Sequence, residues 1–443
     1  MPKTIVWFHD GQRLIEILLL ILILVFQSLS HKSIPYKTNL STQLSYALYL
    51  LLILSIISAA LSVSPRHAFL EVSTFIALCF LSLFVANLYI SSRDTFIRYF
   101  IYALWLAIGF YLVSFYSGYL AAFISKKPLQ WPSPFTGFTN IRGFNQYQLW
   151  TIGLICLPLL NNSLKITNLT KTLAHLMITL WWTLLFYSAS RGALIAWFLG
   201  LTLTVITFRS YAVPFMKLQF FYAIAGVLSY LFLFKILPAL NHSVLVTATV
   251  IRDTMNDRLG LWNQAISLIK ISPLFGVGPM HFAWNNETFA HPHNSILQFS
   301  SEWGLLASIT LQVTFLYAAY YWLKKFNRNQ LKSLSIGDSN LVIVLFFTVV
   351  ANFAYSMVDG VIVTPLSQVL MFTIVGIIIG QYCHQSESIM LSKHYFRNTL
   401  AVLTAVVLAW SSLPEILRAI NGQEKGFSIG HTAIGPRFWR EVQ

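Results

Sequence analysis

Leu14-Ile15-Glu16-Ile17-Leu18-Leu19-Leu20-Ile21-Leu22-Ile23-Leu24-Val25-Phe26 is the first statement of a pattern that recurs along the whole chain. A hydrocarbon core is bridged by about 20 predominantly apolar residues in helical form. About twelve such runs follow one another: Leu14 to Ser30, Leu44 to Val63, Ala68 to Ile90, Arg98 to Ile124, Gln146 to Leu160, Thr172 to Ser188, Ala193 to Phe208, Phe215 to Leu237, Trp303 to Leu323, Asn340 to Ser356, Val361 to Tyr382 and Asn398 to Ser411. The first run leads into Gln27-Ser28-Leu29-Ser30-His31-Lys32 without an Ala-x-Ala-like cleavage site, so it is expected to stay as an anchor rather than leave as a signal peptide.

Composition points the same way. The 443 residues are 56% hydrophobic, 15% aromatic and only 10% charged, with a mean hydropathy of +0.67. A water-soluble chain of that makeup would have too little polar surface to cover itself. The expected fold is therefore an all-α polytopic integral membrane protein. Cys79, Cys156 and Cys383 all fall in or at the end of apolar runs, where a small buried hydrophobe is the expected role rather than a disulfide or a zinc ligand.

The formal net charge of +15 would suggest nucleic acid in a soluble chain. Here the cations sit in the connections, as the positive-inside rule predicts for cytoplasmic loops. Lys32 and Lys37, Arg93 and Arg98, Lys165 and Lys171, Arg209 and Lys217, Lys324, Lys325, Arg328 and Lys332, then Lys393 and Arg397 follow runs one, three, five, seven, nine and eleven. The longer loops at 126–145 and 238–302 lie opposite them, which makes the large loop external and periplasmic. With twelve runs both termini also fall outside, against the preference of Lys3 and Arg13; one miscounted or re-entrant segment before the large loop removes the conflict, so the expected count is about eleven to thirteen. The domain order is N-terminal spans over 1–130, a core region over 131–323 containing the loop 238–302, C-terminal spans over 324–413, and a short tail over 414–443.

Four polar windows interrupt the apolar pattern, all on the external side of this topology. Phe138-Thr139-Asn140-Ile141-Arg142-Gly143-Phe144-Asn145-Gln146-Tyr147-Gln148 follows Trp131-Pro132-Ser133-Pro134 and runs into a span. Its guanidinium and amides suit anionic or hydroxyl-rich ligands; a capped, snorkelling helix entrance is the plain alternative. Ser188-Ala189-Ser190-Arg191-Gly192-Ala193 holds an arginine at membrane level, which is costly without an anionic partner. A structural ion pair would also serve, and the small residues beside it allow close approach.

The third window runs from Arg258 to Phe282. Leu261, Ala265, Leu268 and Ile269 recur at helical spacing, as in a helix lying on the membrane surface, before Ser272-Pro273-Leu274-Phe275-Gly276-Val277-Gly278-Pro279 breaks it. Arg258, after Arg252, Asp253 and Asp257, either meets a bound phosphate or is an ordinary solvated charge. The fourth window is His291-Pro292-His293-Asn294-Ser295-Ile296-Leu297-Gln298, closed by Glu302-Trp303-Gly304. Histidine is the side chain best placed to take a proton near neutral pH. A metal site is the weaker reading, since two histidines two apart have no neighbouring carboxylate or cysteine in sequence; ordinary loop histidines are the bland one.

Together the windows resemble one family of bacterial polytopic glycosyltransferases: the O-antigen ligases, Wzy-type polymerases and protein O-oligosaccharyltransferases. The resemblance spans about Phe138 to Leu323 and rests on Asn140-x-Arg142-x-x-Asn145-Gln146, Ser190-Arg191-Gly192-Ala193, Arg258-x-x-x-Trp262 with Phe275-Gly276-Val277-Gly278, and His293-Asn294-Ser295-x-Leu297-Gln298 with Glu302-x-Gly304, in that order. It implies metal-independent transfer, without a cofactor, of a glycan from undecaprenyl pyrophosphate to an acceptor hydroxyl at the periplasmic face of the bacterial inner membrane. By the same resemblance Arg191 and Arg258 bind pyrophosphate with Arg142 as a third, and His293 is the base with His291 as substitute. Asn145, Gln146 and Asn294 position sugar or phosphate, and Glu302 orients the loop or caps a helix.

The acceptor divides the family's branches: Ser or Thr of a pilin or other protein, a lipid A core sugar, or another lipid-linked glycan. The string from Asn140 to Trp150 and the tail Gly435-Pro436-Arg437-Phe438-Trp439-Arg440 look more like the pilin-directed branch. Only about thirty residues follow the last run, so the large periplasmic domain of the longest protein transferases is not expected here. A non-enzymatic alternative is a flippase or transporter for lipid-linked glycans, whose intramembrane arginines would meet the same pyrophosphate, although no corresponding halves are visible in the sequence.

Overall fold

The structure, a computed structural model, describes residues 9–29, 42–127, 135, 137, 138, 141–160, 167–241, 254–285, 289–384 and 394–420. Lys3, Lys32, Lys37, Lys165, Lys393, Arg252, Asp253, Trp131 to Pro134, Thr139, Asn140 and the tail from Gly435 to Arg440, all used in the sequence argument, lie outside them. Among the described residues the fold is helical, with no strand: α1 His9–Leu29, α2 Thr42–Ala60, α3 Pro65–Ile124, α4 Ile141–Thr151, α5 Leu157–Leu160, α6 Asn168–Tyr187, α7 Arg191–Phe208, α8 Val213–Leu231, α9 Leu237–Leu240, α10 Thr254–Ile271, α11 Ser295–Glu302, α12 Gly304–Lys325, α13 Arg328–Leu331, α14 Ile336–Ser356, α15 Pro365–His384 and α16 His394–Ile420. Lipid offers no partner to backbone N–H and C=O groups, so helices satisfy them internally.

Nine segments among the described residues are helical, long and apolar enough to cross a membrane. Two exceed a single crossing: Pro65–Ile124 has 60 residues and Arg191–Leu240 has 50, where one pass takes about 20. Non-helical backbone divides each, at Ser92 (φ −152°, ψ 54°) in the first and at Arg209 (φ 50°, ψ −123°) in the second. Apolar run five is built differently from the expectation. Gln146 to Leu160 forms the end of α4, a 3-10 turn at Leu154–Cys156 and the single turn α5, rather than one membrane-length helix. It is the segment before the large loop that does not read as a simple crossing.

The chain folds into two compact units. The first comprises Met1–Arg93, Asp253–Lys324 and Asp359–Gln443; the second comprises Asp94–Arg252 and Lys325–Val358. In the first, α1 packs on α15 and α16, and α10 on α11. Leu54, Ala59, Ala68, Val72, Trp303 and Ala307 form a core across α2, α3 and α12. Gly376 and Gly380, one helical turn apart on α15, let α3 come close; a Cβ would lie 2.6 Å from the Ser82 carbonyl oxygen at Gly376 and 2.8 Å from Tyr89 Cβ at Gly380. In a membrane such close packing, rather than exclusion of water, holds helices together.

In the second unit α14 packs on α7 and α6 on α8. Gly200 faces Ala351 and Gly226 faces Trp182 with the same small-residue logic. Arg328 donates to the carbonyls of Thr207 (2.8 Å) and Ile206 (3.0 Å), closing the C-terminus of α7.

Two sequence expectations change. Leu261, Ala265 and Leu268 are buried against Phe282, Val277, Phe289 and Leu297, so the regular apolar face of α10 meets protein and not a membrane surface. Its exposed apolar residues, Leu259, Ile266 and Ile271, lie elsewhere on the helix. Cys156 and Cys383 are buried free thiols as expected, but Cys79 is exposed.

The 274–278 turn explains why Gly276 and Gly304 stand where they do. Val277 and Gly278 donate backbone bonds to the carbonyls of Ser301 (3.0 Å) and Glu302 (2.9 Å), and Leu305 donates to Pro273 (2.8 Å). Gly304 takes φ +85°, and a Cβ there would come within 2.2 Å of the Leu274 carbonyl oxygen. Backbone cannot step aside as a side chain does. Gly304→Ala is therefore expected to destabilise the protein by about 2–4 kcal/mol, combining overpacking with a left-handed alanine; a fall in the unfolding midpoint in detergent measures it.

Candidate functional site

In the first unit the histidine loop is built from the N-terminus of α11. Asn294 has extended backbone (φ −150°, ψ 113°) and its Oδ1 accepts the Leu297 N–H, which makes it the N-cap of α11. His293, immediately before it, takes the left-handed value φ +52°. A non-glycine residue there carries backbone strain, and such strain concentrates at functional positions. The His293 N–H donates to His291 Nδ1 at 3.2 Å, and the two rings meet edge to face at a centroid distance of 4.1 Å.

Two neighbours hold this loop. Trp262 Nε1–H donates to the Pro292 carbonyl oxygen at 3.1 Å, so α10 grips the residue between the histidines. Arg258 lies four residues before Trp262 on that helix and hence on the same face, half-buried. On the other side the His291 ring lies against Gly360, where a Cβ would come within 2.5 Å of it. Beside Gly360, Asp359 Oδ1 stands 3.7 Å from His293 Nδ1; both side chains are almost wholly buried.

A carboxylate facing Nδ1 favours the tautomer with its proton there, leaving Nε2 as the basic nitrogen. That is the arrangement a general base requires. Asp359 was not among the residues singled out from sequence. Its only signal there is an isolated acid, Val358-Asp359-Gly360, between two apolar runs.

Glu302 sits at the other end of α11, fully buried. Its Oε1 accepts the Phe282 N–H at 3.0 Å, and Met280 N–H and the Gln298 side chain also bond to it. Burial nevertheless dominates and pushes its carboxyl well above the usual carboxylate range. Glu302 thus pins the 280–282 turn to α11 from a buried position that favours its neutral form. The stability that neutral form supplies is complete below the ordinary carboxylate pKa and is lost as pH rises through the raised one. Glu302→Gln has no such proton to lose. Melting scans in detergent from about pH 5 to about pH 8 should show the wild type losing ground to the glutamine variant as pH rises.

His281 differs from His293. Its Nε2 accepts the Ser64 N–H at 2.9 Å and its Nδ1–H donates to the Pro279 carbonyl oxygen at 2.7 Å. Burial pushes its pKa down. Both nitrogens are spent on the fold, which suits a structural imidazole.

The second unit presents Arg142 and Arg191. Asn145 is fully buried and donates from Nδ2 to Ser188 Oγ (2.7 Å) and Gln148 Oε1 (3.2 Å). Gln148 in turn donates to the Trp181 carbonyl oxygen at 2.6 Å. These bonds tie α4 to the Ser188-Ala189-Ser190 turn, where Ala189 takes φ +51°. Ser190 Oγ is 3.5 Å from Tyr355 OH, and the Tyr355 ring lies against Gly192. The turn so held delivers Arg191, exposed, as the first residue of α7.

A cation at a helix N-terminus opposes the macrodipole, whereas an anion there would meet both the charge and the first N–H groups. Arg142 is half-buried in the first turn of α4, and Gln146 is buried. Asn145 therefore supports the arginine turn, and Asn294 caps α11. Within the first unit the structure joins His291, His293 and Asn294 to the helix of Arg258; within the second it joins Asn145 to the turn of Arg191.

Residues 175–312 match the family model of the O-antigen ligases. That span includes Arg191, Arg258, both loop histidines, Asn294 and Glu302, and excludes Arg142, Asn145, Gln146 and Asp359. No curated protein and no solved structure matches the chain.

Proposed function

From the match of residues 175–312 to the family model of the O-antigen ligases, we propose an oligosaccharyltransferase of the bacterial inner membrane with its active site on the periplasmic side. The donor is a glycan on undecaprenyl pyrophosphate. The acceptor is a Ser or Thr hydroxyl of a pilin or another protein. His293 accepts the acceptor's proton on Nε2 as that oxygen bonds to the anomeric carbon. The anomeric C–O bond to the carrier breaks, and the carrier leaves as its pyrophosphate.

Arg191, Arg258 and Arg142 receive the charge that grows on the leaving group, the role metal ions fill in other transferases. Asp359 keeps the imidazole oriented and steadies the imidazolium that forms, and His291 supports the backbone of His293. The observation that carries this reading is the buried His293, strained at positive φ and set 3.7 Å from the Asp359 carboxylate. Gln146 is the position proposed to meet sugar.

The acceptor is tested by mass spectrometry of pilin and lipopolysaccharide from cells with and without the gene. Glycan lost from a pilin or other protein alone supports the protein acceptor. Glycan lost from lipopolysaccharide makes the protein a ligase of lipid A core, and shortened glycan on an unchanged acceptor makes it a polymerase. Accumulation of donor on the cytoplasmic face would mark a transporter.

A further inference from the structure

The geometry points to Arg13 on α1 as a positioning residue for the histidine loop, acting through the 359–364 loop; the inference rests on His293 as the base. Arg13 is 1% exposed and Glu16, one turn on, is 2% exposed. An arginine buried at a span's edge is expensive unless its bonds are all used. Here Nη1 donates to Glu16 Oε2 and to Gln368 Oε1, each at 2.5 Å, and Nη2 donates to the Val363 carbonyl oxygen at 2.6 Å.

That last bond completes a series. Three successive carbonyl oxygens of one loop are each taken by a buried side chain: Val361 by Ser367 Oγ at 2.6 Å, Ile362 by Gln368 Nε2 at 2.9 Å, and Val363 by Arg13. The Val363 N–H closes the turn on the Gly360 carbonyl oxygen at 3.0 Å. The loop so clamped begins with Asp359, whose Oδ1 accepts the Gly360 N–H at 2.7 Å and faces His293. It continues with Gly360, the floor under the His291 ring.

Removing one partner of a buried ion pair leaves the other uncompensated, so Arg13→Leu burdens Glu16 as well as the loop, and that part of the cost falls on α1 itself. Leucine there would leave the Val363 carbonyl oxygen and Gln368 Oε1 without the Arg13 donor, while Gln368 Nε2 keeps its bond to Ile362. The part of the cost specific to transfer falls on where the loop sits, and small displacements of a reacting group are expensive: about 1 Å costs on the order of a hundredfold in rate.

The test compares Arg13→Leu, Arg13→Lys and Ser367→Ala with wild type in membranes supplied with lipid-linked donor and acceptor. Arg13→Leu is expected to lower kcat roughly ten- to a hundredfold with the donor KM within about twofold. Arg13→Lys recovers part of that loss and Ser367→Ala loses less. Hydrogen exchange followed by mass spectrometry supplies a readout independent of transfer: peptides covering 359–364 and 289–294 lose protection in Arg13→Leu while those of α15 and α16 keep theirs. Wild-type kcat in Arg13→Leu overturns the proposal, as does protection lost evenly over α1, α15 and α16, which would mark a purely structural arginine. His293→Ala in the same assay separates the two readings. If it transfers at the wild-type rate the base assignment fails, whereas the exchange result reports on the Arg13 clamp by itself.

Discussion

His293→Ala abolishes glycan transfer, with a loss of about 10²–10⁴-fold, the range a general base contributes, while binding of the lipid-linked donor persists. The residual rate reflects orientation and charge stabilisation, which do not depend on the imidazole. Because His293 takes φ +52°, alanine there also adds backbone strain, so His293→Asn is the companion variant. Asparagine tolerates the left-handed region yet cannot serve as the base, and both variants should lose transfer alike. Transfer measured with a fluorescent or radiolabelled lipid-linked donor decides the matter. A wild-type rate in either variant moves the base elsewhere, with His291 the next candidate because it shares the loop and bonds the His293 N–H.

Arg191→Ala and Arg258→Ala each lower transfer by roughly 10²–10³-fold, the effect of removing one donor to a developing anion. Arg191 makes this a clean experiment. Exposed at the first position of α7, it is disfavoured by the helix dipole, so its removal should leave the melting temperature unchanged or slightly raised. A fall in transfer beside unimpaired stability assigns the guanidinium to the substrate. Lysine at either position keeps the charge but not the two-pronged geometry that fits a phosphate, and is expected to rescue only in part. If both alanine variants transfer normally, the enzymatic reading goes with them.

The helical, membrane-spanning character was legible because a span's length and apolarity are local properties of about 20 consecutive residues. The run at Leu14 and its successors state it without any knowledge of packing. The polar windows were legible for a related reason: Arg191 interrupts apolar surroundings where charge is costly, and Arg258 and His293 stand in a long polar loop between apolar runs. Run five misled because hydropathy does not register the break at 151–156, and α10 misled because helical periodicity says that a face is apolar but not what covers it. Phe282 and Leu297, far along the chain or across a turn, cover it.

What the sequence by itself determined is the solvent of this protein, its helical elements and the residue types able to handle a pyrophosphate and a hydroxyl. Only the tertiary structure decided which of those side chains serve the fold: Asn294 as a helix cap, Asn145 as the brace of the Arg191 turn, and Glu302 as a buried acid holding the 280–282 turn. It also brought in Asp359 from beyond α14 and, through Val363, Arg13 from the first helix. The physical reason is range. Apolarity and helix spacing act over a few residues, whereas the orientation and strain of His293 depend on groups that only folding brings within a few ångströms.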